Sequence, residues 1–187
     1  MARIVPEGGL RCRRCLRAGV VYSGIYTRHR HKEHAMYTNI MIAVDGSSES
    51  LHAVRQALTL VERGLRAEIA LVNVQEPASL LELATQDSDA IAAAAVEAGE
   101  NLMAEAASLL DAAGVGYSME VVLGEPGNVL VDMAEQLGAD MVILGARGMG
   151  AVQSVIVGSV SKAVISHCSR PVLVVRAPEV DDADAAD

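Results

Sequence analysis

Residues 141–165 read MVILGARGMGAVQSVIVGSVSKAVI. The stretch opens on four apolar residues, passes through Gly145, Gly148 and Gly150 within six positions, and reaches Gly158-Ser159. Beyond that point Val160, Ala163 and Val164 follow helical spacing. A short apolar run, a glycine-rich turn and a helix start make one strand–loop–helix unit.

The same alternation continues outward. NIMIAV (39–44) is a short run with β-branched residues, closed by Asp45-Gly46-Ser47-Ser48. Leu51, Val54, Leu58 and Val61 then mark a helix, with Ser47 or Ser48 as its cap and Glu49 in its first turn. AEIALVNV (67–74) predicts a second strand, residues 75–90 a connector, and residues 91–113 a long Ala-rich helix ending near Gly114. GYSMEVVL (116–123) predicts a third strand. Pro126 stands where a first-turn proline belongs, and Val129, Leu130, Met133 and Leu137 form an apolar face that Gly138 terminates. MVIL (141–144) and RPVLVV (170–175) are the fourth and fifth strands. Near-continuous apolar strands separated by helices predict one α/β domain, a Rossmann-like parallel sheet with helices on both faces. Ligands of such sheets bind at the carboxyl ends of the strands, where the strand order reverses. If strands 1 and 4 are neighbours, the Asp45 turn and the glycine loop flank one crevice.

Glycine removes the Cβ that would keep a backbone away from a phosphate, and it permits positive φ. A helix start adds N–H groups without partners and a partial positive charge. Gly145, Gly148 and Gly150 supply the first feature, and Gly158-Ser159 supplies the second, with Arg147 as added charge. Asp45, across the crevice, is a candidate for ribose or a metal ion. Tight turns and close helix–sheet packing without a ligand are the alternative use of the same glycines. The loop is neither a Walker A motif nor the dinucleotide fingerprint.

The spacing Gly145-x2-Gly148-x9-Gly158-Ser159 resembles the nucleotide-binding signature G-x2-G-x9-G-S/T of the universal stress protein family. NIMIAVDGSSES, GEPGNVLVDMAEQLGADMVILGARG and RPVLVVR resemble further segments of that family in the expected order, from about Met36 to Arg176. The resemblance implies a five-stranded sheet of order 3-2-1-4-5 and a homodimer joined through the fifth strand, Pro171–Val175. It implies ATP, with Mg2+, as the ligand. Gly145, Gly148, Gly158 and Ser159 would hold the phosphates, with Arg147 and Gly150 in the same loop. Asp45 would lie at the adenosine side, and the backbone near Val74 would meet adenine.

The 187 residues carry a net charge of −9, unevenly spread. Residues 1–38 hold eight Arg/Lys against two Glu, whereas the remainder holds seven against 22 acids. The acidic body argues against nucleic acid as a partner. Few lysines suit either a high-salt cytoplasm or a GC-rich genome. No apolar run approaches the ~20 residues of a membrane span. Three cysteines make no disulfide framework, so a cytoplasmic setting is expected. Cys12-x2-Cys15-x13-His29-x4-His34 formally fits a zinc spacing, but TRHRHKEH is a poor helix face, so no metal is expected. The basic head is also compared with a transit peptide, but it is short of Ser. The domain reading is therefore a basic extension (1–35), disordered or preceding the natural start at Met36, a nucleotide-binding domain (36–177), and an acidic disordered tail (178–187). Cys168 reads as a small buried hydrophobe, and His52 and His167 have no matching acid–nucleophile set. The functional expectation is an ATP-dependent switch or sensor in stress response that works by binding rather than turnover. A weak ATPase or phosphotransferase, and a dimeric interaction module with an empty pocket, are the alternatives.

Overall fold

Ser47 starts a helix at residue 48. Its backbone is extended, and its hydroxyl accepts a hydrogen bond from the Ser50 N–H at 3.2 Å, capping the helix that follows. Such local signals recur along the chain. In the computed structural model, residues 23–26, 37–76, 88–148 and 157–177 are described. The elements are β1 (Ser23–Tyr26), β2 (Asn39–Ala43), α1 (Ser48–Glu62), β3 (Glu68–Gln75), α2 (Ser88–Ala112), β4 (Tyr117–Leu123), α3 (Pro126–Gln136), β5 (Met141–Gly145), α4 (Ser159–His167) and β6 (Val172–Val175). Much of the expected connector and the whole acidic tail lie outside the described residues.

The sheet runs β1-β4-β3-β2-β5-β6. Its last five strands are parallel, and their sequence order is the expected 3-2-1-4-5. The order in which strands are added reverses at β2 and β5, which are direct neighbours through Ile40–Met141, Met41–Val142 and Ile42–Ile143.

The central strands β2, β3 and β5 are apolar on both sides because each face has its own core. Ile40, Ile42, Ile69, Leu71, Val121 and Ile143 pack with Leu51 and Val54 of α1 and Met103 and Leu110 of α2. Met41, Val72, Val122, Val142 and Leu144 pack with Leu130 and Met133 of α3 and Val164 of α4. Successive strand residues alternate between these two cores, as the two-residue period of a strand requires. Pro126 opens α3, where Glu125 accepts from the N–H groups of Gly127 and Asn128. Gly138 follows α3 with φ +59, the left-handed conformation that ends a helix.

One strand departs from the expectation. Ser23–Tyr26, inside the segment expected to be an unstructured extension, pairs antiparallel with β4, Gly24 opposite Glu120. The sheet therefore has six strands. The outer side of β4 offers unpaired backbone groups, and a short stretch with Ile and Tyr is suited to fill them. Glu120 is 4 % exposed, and burial alone raises its carboxyl from 4.5 to about 7. Among the described residues, no helix is long and apolar enough to cross a membrane.

Candidate functional site

Asp45 lies two residues past β2, where the chain turns into α1. Its Oδ1 accepts from the Ser47 N–H at 3.0 Å and the Ser47 hydroxyl at 2.6 Å, which fixes the carboxylate. Gly46 between them has φ +82, and a Cβ there would come within 2.7 Å of Leu102 on α2. The second carboxylate oxygen of Asp45 faces the glycine loop. A Cβ on Gly148 would sit 2.5 Å from Asp45 Oδ2. The two loops singled out from the sequence thus meet over the β2–β5 junction.

The glycines in the loop serve close approach. Gly145 is buried at the end of β5, and a Cβ there would lie 2.7 Å from Glu49 Cβ. Gly158 lies against the loop backbone, its Cβ position 3.6 Å from Arg147 Cα and 4.0 Å from Gly148 N. Among the described residues, positive φ occurs at Gly46, Gly64, Gly114, Gly124 and Gly138, and not at these three. The conformational argument made from the sequence therefore applies to Gly46, and the steric one to Gly145 and Gly148. Gly150 lies outside the described residues.

Gly158 is also the N-cap of α4, and no side chain caps that helix. Its own N–H donates to Ala146 C=O at 2.8 Å. The next N–H groups, starting at Ser159, form the uncapped first turn, where a helix carries about half a positive charge. Ser159 is exposed at this end. Ser161, two positions beyond Ser159 and outside the expected set, is 4 % exposed and donates from its hydroxyl to Gly145 C=O at 2.9 Å and to Ala146 C=O at 3.2 Å. It staples the helix start to the end of β5. A small polar residue following an apolar one in a helix is no distinctive sequence signal, so Ser161 passes unnoticed there.

Arg147 does not stand alone. Its Nε donates to Glu49 Oε1 at 2.7 Å, with the two side chains 16 % and 10 % exposed. Glu49 was legible as a first-turn acid, but not as a partner 98 residues away. Val74 is one strand further from the loop, on β3, half-buried and packed against the α3–α4 core. Beside it, Asn73 is 1 % exposed and donates to Val44 C=O at 2.8 Å, while Gln75 donates to Asn73 Oδ1. This amide pair ties the end of β3 to the residue preceding Asp45. A separate surface hollow along α2 is lined by Asp89, Ala92, Val96, Glu97 and Glu100. A lining of three carboxylates makes it unsuited to a phosphate, so the chemistry favours the β2–β5 junction.

The crevice therefore joins a fixed carboxylate, a backbone surface cleared of Cβ atoms and an uncapped helix start. The universal stress protein MJ0531 of Methanocaldococcus jannaschii is 29% identical over 145 residues, which cover 77% of this chain and 85% of that relative. The solved structure of hypothetical protein MJ0577 superposes with a TM-score of 0.66 at 25% identity, covering 78% of this chain and 99% of the other. A universal stress protein family protein from Arabidopsis thaliana, solved with AMP bound, shares the fold at a TM-score of 0.54 and 22% identity, covering 80% and 99% of the two chains. The model of the Universal stress protein family matches residues 36–176. This chain belongs to the universal stress protein family.

Proposed function

We propose that the chain binds an adenine nucleotide, ATP with Mg2+, at the β2–β5 junction, and that binding rather than turnover is its function in stress response. The observation that carries the reading is the start of α4. Gly158 leaves that helix without a side-chain cap, directly beside Gly148, where a Cβ would strike Asp45. Backbone N–H groups and a helix dipole meet there, and among the described residues no side chain caps them, the arrangement that suits an anion. The AMP bound to the Arabidopsis thaliana family member supports adenine nucleotide as the ligand class.

In this reading Gly145, Gly148, Gly150, Gly158 and Ser159 surround the phosphates, and Arg147 lies beside them. Asp45 Oδ2 meets the ribose or the Mg2+ carried by the nucleotide. The β3 backbone at Val74 meets adenine. Bound Mg2+ would offset phosphate charge beside Asp45. Residues 36–177 suffice for all of this, so a chain starting at Met36 keeps its nucleotide affinity.

The homodimer forms through β6. That strand is a sheet edge, and Leu173 on it and Ile165 on α4 are large apolar side chains left 37 % and 49 % exposed. Pairing two such edges across a two-fold axis would cover them. Light scattering at micromolar concentration should give twice the chain mass.

The deciding experiment is titration calorimetry with ATP and Mg2+, together with chromatography of nucleotide released from the purified protein. Stoichiometric binding is expected. Absence of both bound and titratable nucleotide in a folded protein would leave a dimeric interaction module. Multiple-turnover phosphate release would instead make it an ATPase.

A further inference from the structure

Arg147 is the one basic side chain among the described residues of the glycine loop, 145–148 and 157–158. A phosphate-binding loop ordinarily presents such a charge to its ligand. Here the guanidinium is engaged on its inner side by Glu49 at 2.7 Å. Both side chains are largely shielded, so the pair is screened less by water and salt than a surface pair. Glu49 is also held at its base. It stands in the first turn of α1, and its Cβ lies against Gly145, where there is no space for another atom. The pair thus links α1 to the loop.

The charges of the described side chains at the crevice can then be counted. Asp45 and Glu49 contribute two negative charges and Arg147 one positive, which leaves the side chains net negative. Attraction for phosphate must come from backbone N–H groups and the α4 dipole, equivalent to about half a charge. Each further phosphate charge gains little from that dipole and is opposed by the two carboxylates.

We propose that Glu49 is a specificity-determining residue, which holds the net charge of the site down so that it takes adenine nucleotides of low effective charge in preference to an uncomplexed triphosphate. The inference rests on the nucleotide-binding reading above. It deepens that reading by assigning a role to a residue outside the glycine signature.

The test is calorimetric titration of the full-length protein with AMP and with ATP, both in EDTA, at low and at moderate salt. For the wild type, ATP should bind more weakly than AMP under these conditions, an ATP/AMP affinity ratio well below one; a ratio of one or more overturns the proposal. Glu49→Gln keeps the shape and the acceptor for Arg147 but removes one negative charge. It should raise the ATP/AMP ratio about tenfold and make ATP binding more sensitive to salt. Arg147→Gln leaves Glu49 uncompensated and should move the ratio the other way by a similar factor. Loss of packing alone would weaken both ligands alike and leave the ratio where it was. An unchanged ratio in both folded variants overturns the role of Glu49 while leaving nucleotide binding intact. If Glu49→Gln does not fold, the double variant Glu49→Gln/Arg147→Gln decides: a ratio restored toward the wild-type value supports the proposal, and the ratio of Arg147→Gln alone overturns it. If the wild type binds neither AMP nor ATP, with or without Mg2+, the nucleotide reading falls, and this inference with it.

Discussion

At the amino ends of β2 and β5, the Asp140 carboxylate accepts from the Thr38 N–H at 2.8 Å, the Thr38 hydroxyl at 2.9 Å and the Asn39 N–H at 3.0 Å. At the carboxyl ends of the same two strands, Asp45 gives one oxygen to Ser47 and turns the other toward Gly148. The residue type and the strand pair are the same, but the outcomes are opposite. Three donors from one neighbouring strand hold Asp140 below its usual 3.8, with the Thr38 N–H as the largest cause, and sew that end shut. At the other end, glycines line the approach, and among the described residues no side chain caps the first turn of α4. A strand end becomes a binding site when its polar groups are left for a ligand, and a structural joint when the chain satisfies them itself.

The largest test of that contrast is Gly148→Val. Its Cβ would collide with Asp45 Oδ2 at 2.5 Å, and Ser47 keeps Asp45 from retreating. ATP affinity should fall more than about a hundredfold, or roughly 2.8 kcal/mol. The protein should remain folded by circular dichroism, because Gly148 is exposed. Retained affinity would mean that the carboxyl end is as closed as the amino end.

Glu120 belongs to neither end and sharpens the comparison. No hydrogen-bond donor among the described residues reaches it, and burial raises its carboxyl from 4.5 to about 7, the reverse of Asp140. The folded protein therefore holds a proton that the unfolded chain has released across this interval. The contribution of Glu120 to stability is greatest below 4.5, declines as pH rises toward 7, and is flat above. Glu120→Gln should be more stable than wild type at pH 8 by about 2–3 kcal/mol in urea unfolding. The advantage should vanish near pH 4.5. An advantage independent of pH would show that packing, not ionisation, sets the effect.

Ser159→Ala removes one hydroxyl at the start of α4. A hydrogen bond to a charged group is worth about 1.5–3 kcal/mol, so calorimetry should record at least about a tenfold loss of ATP affinity. The smallest effect is expected at the closed end. Asp140→Ala should cost about 1 kcal/mol in unfolding experiments, because its bonds are partly exposed, and should leave ATP affinity as it was. Its stabilising share is present above pH 3.8 and is lost as pH falls through the lower folded value, so the difference from wild type should shrink in acid.

The elements were legible because their signals are local. Apolar runs such as NIMIA and MVIL, the Ser47 cap, Pro126 at a helix start and Gly138 at a helix end each depend on residues within about one turn. The glycine spacing and the segments around it carried the family, and with it the strand order that makes β2 and β5 neighbours. Tertiary structure alone decided the rest. Glu49 reaches Arg147 across 98 residues, and Ser161 bonds to Gly145 across 16. Ser23–Tyr26 finds β4 from a segment whose composition suggested no structure, and Glu120 becomes buried in β4. The sequence named which glycines line the candidate site, and the fold determined that Gly145 and Gly148 are there for want of space rather than for positive φ. Periodicity and caps are properties of neighbours along the chain, whereas an ion pair, a steric limit or a desolvated carboxylate exists only once register and packing bring distant residues together.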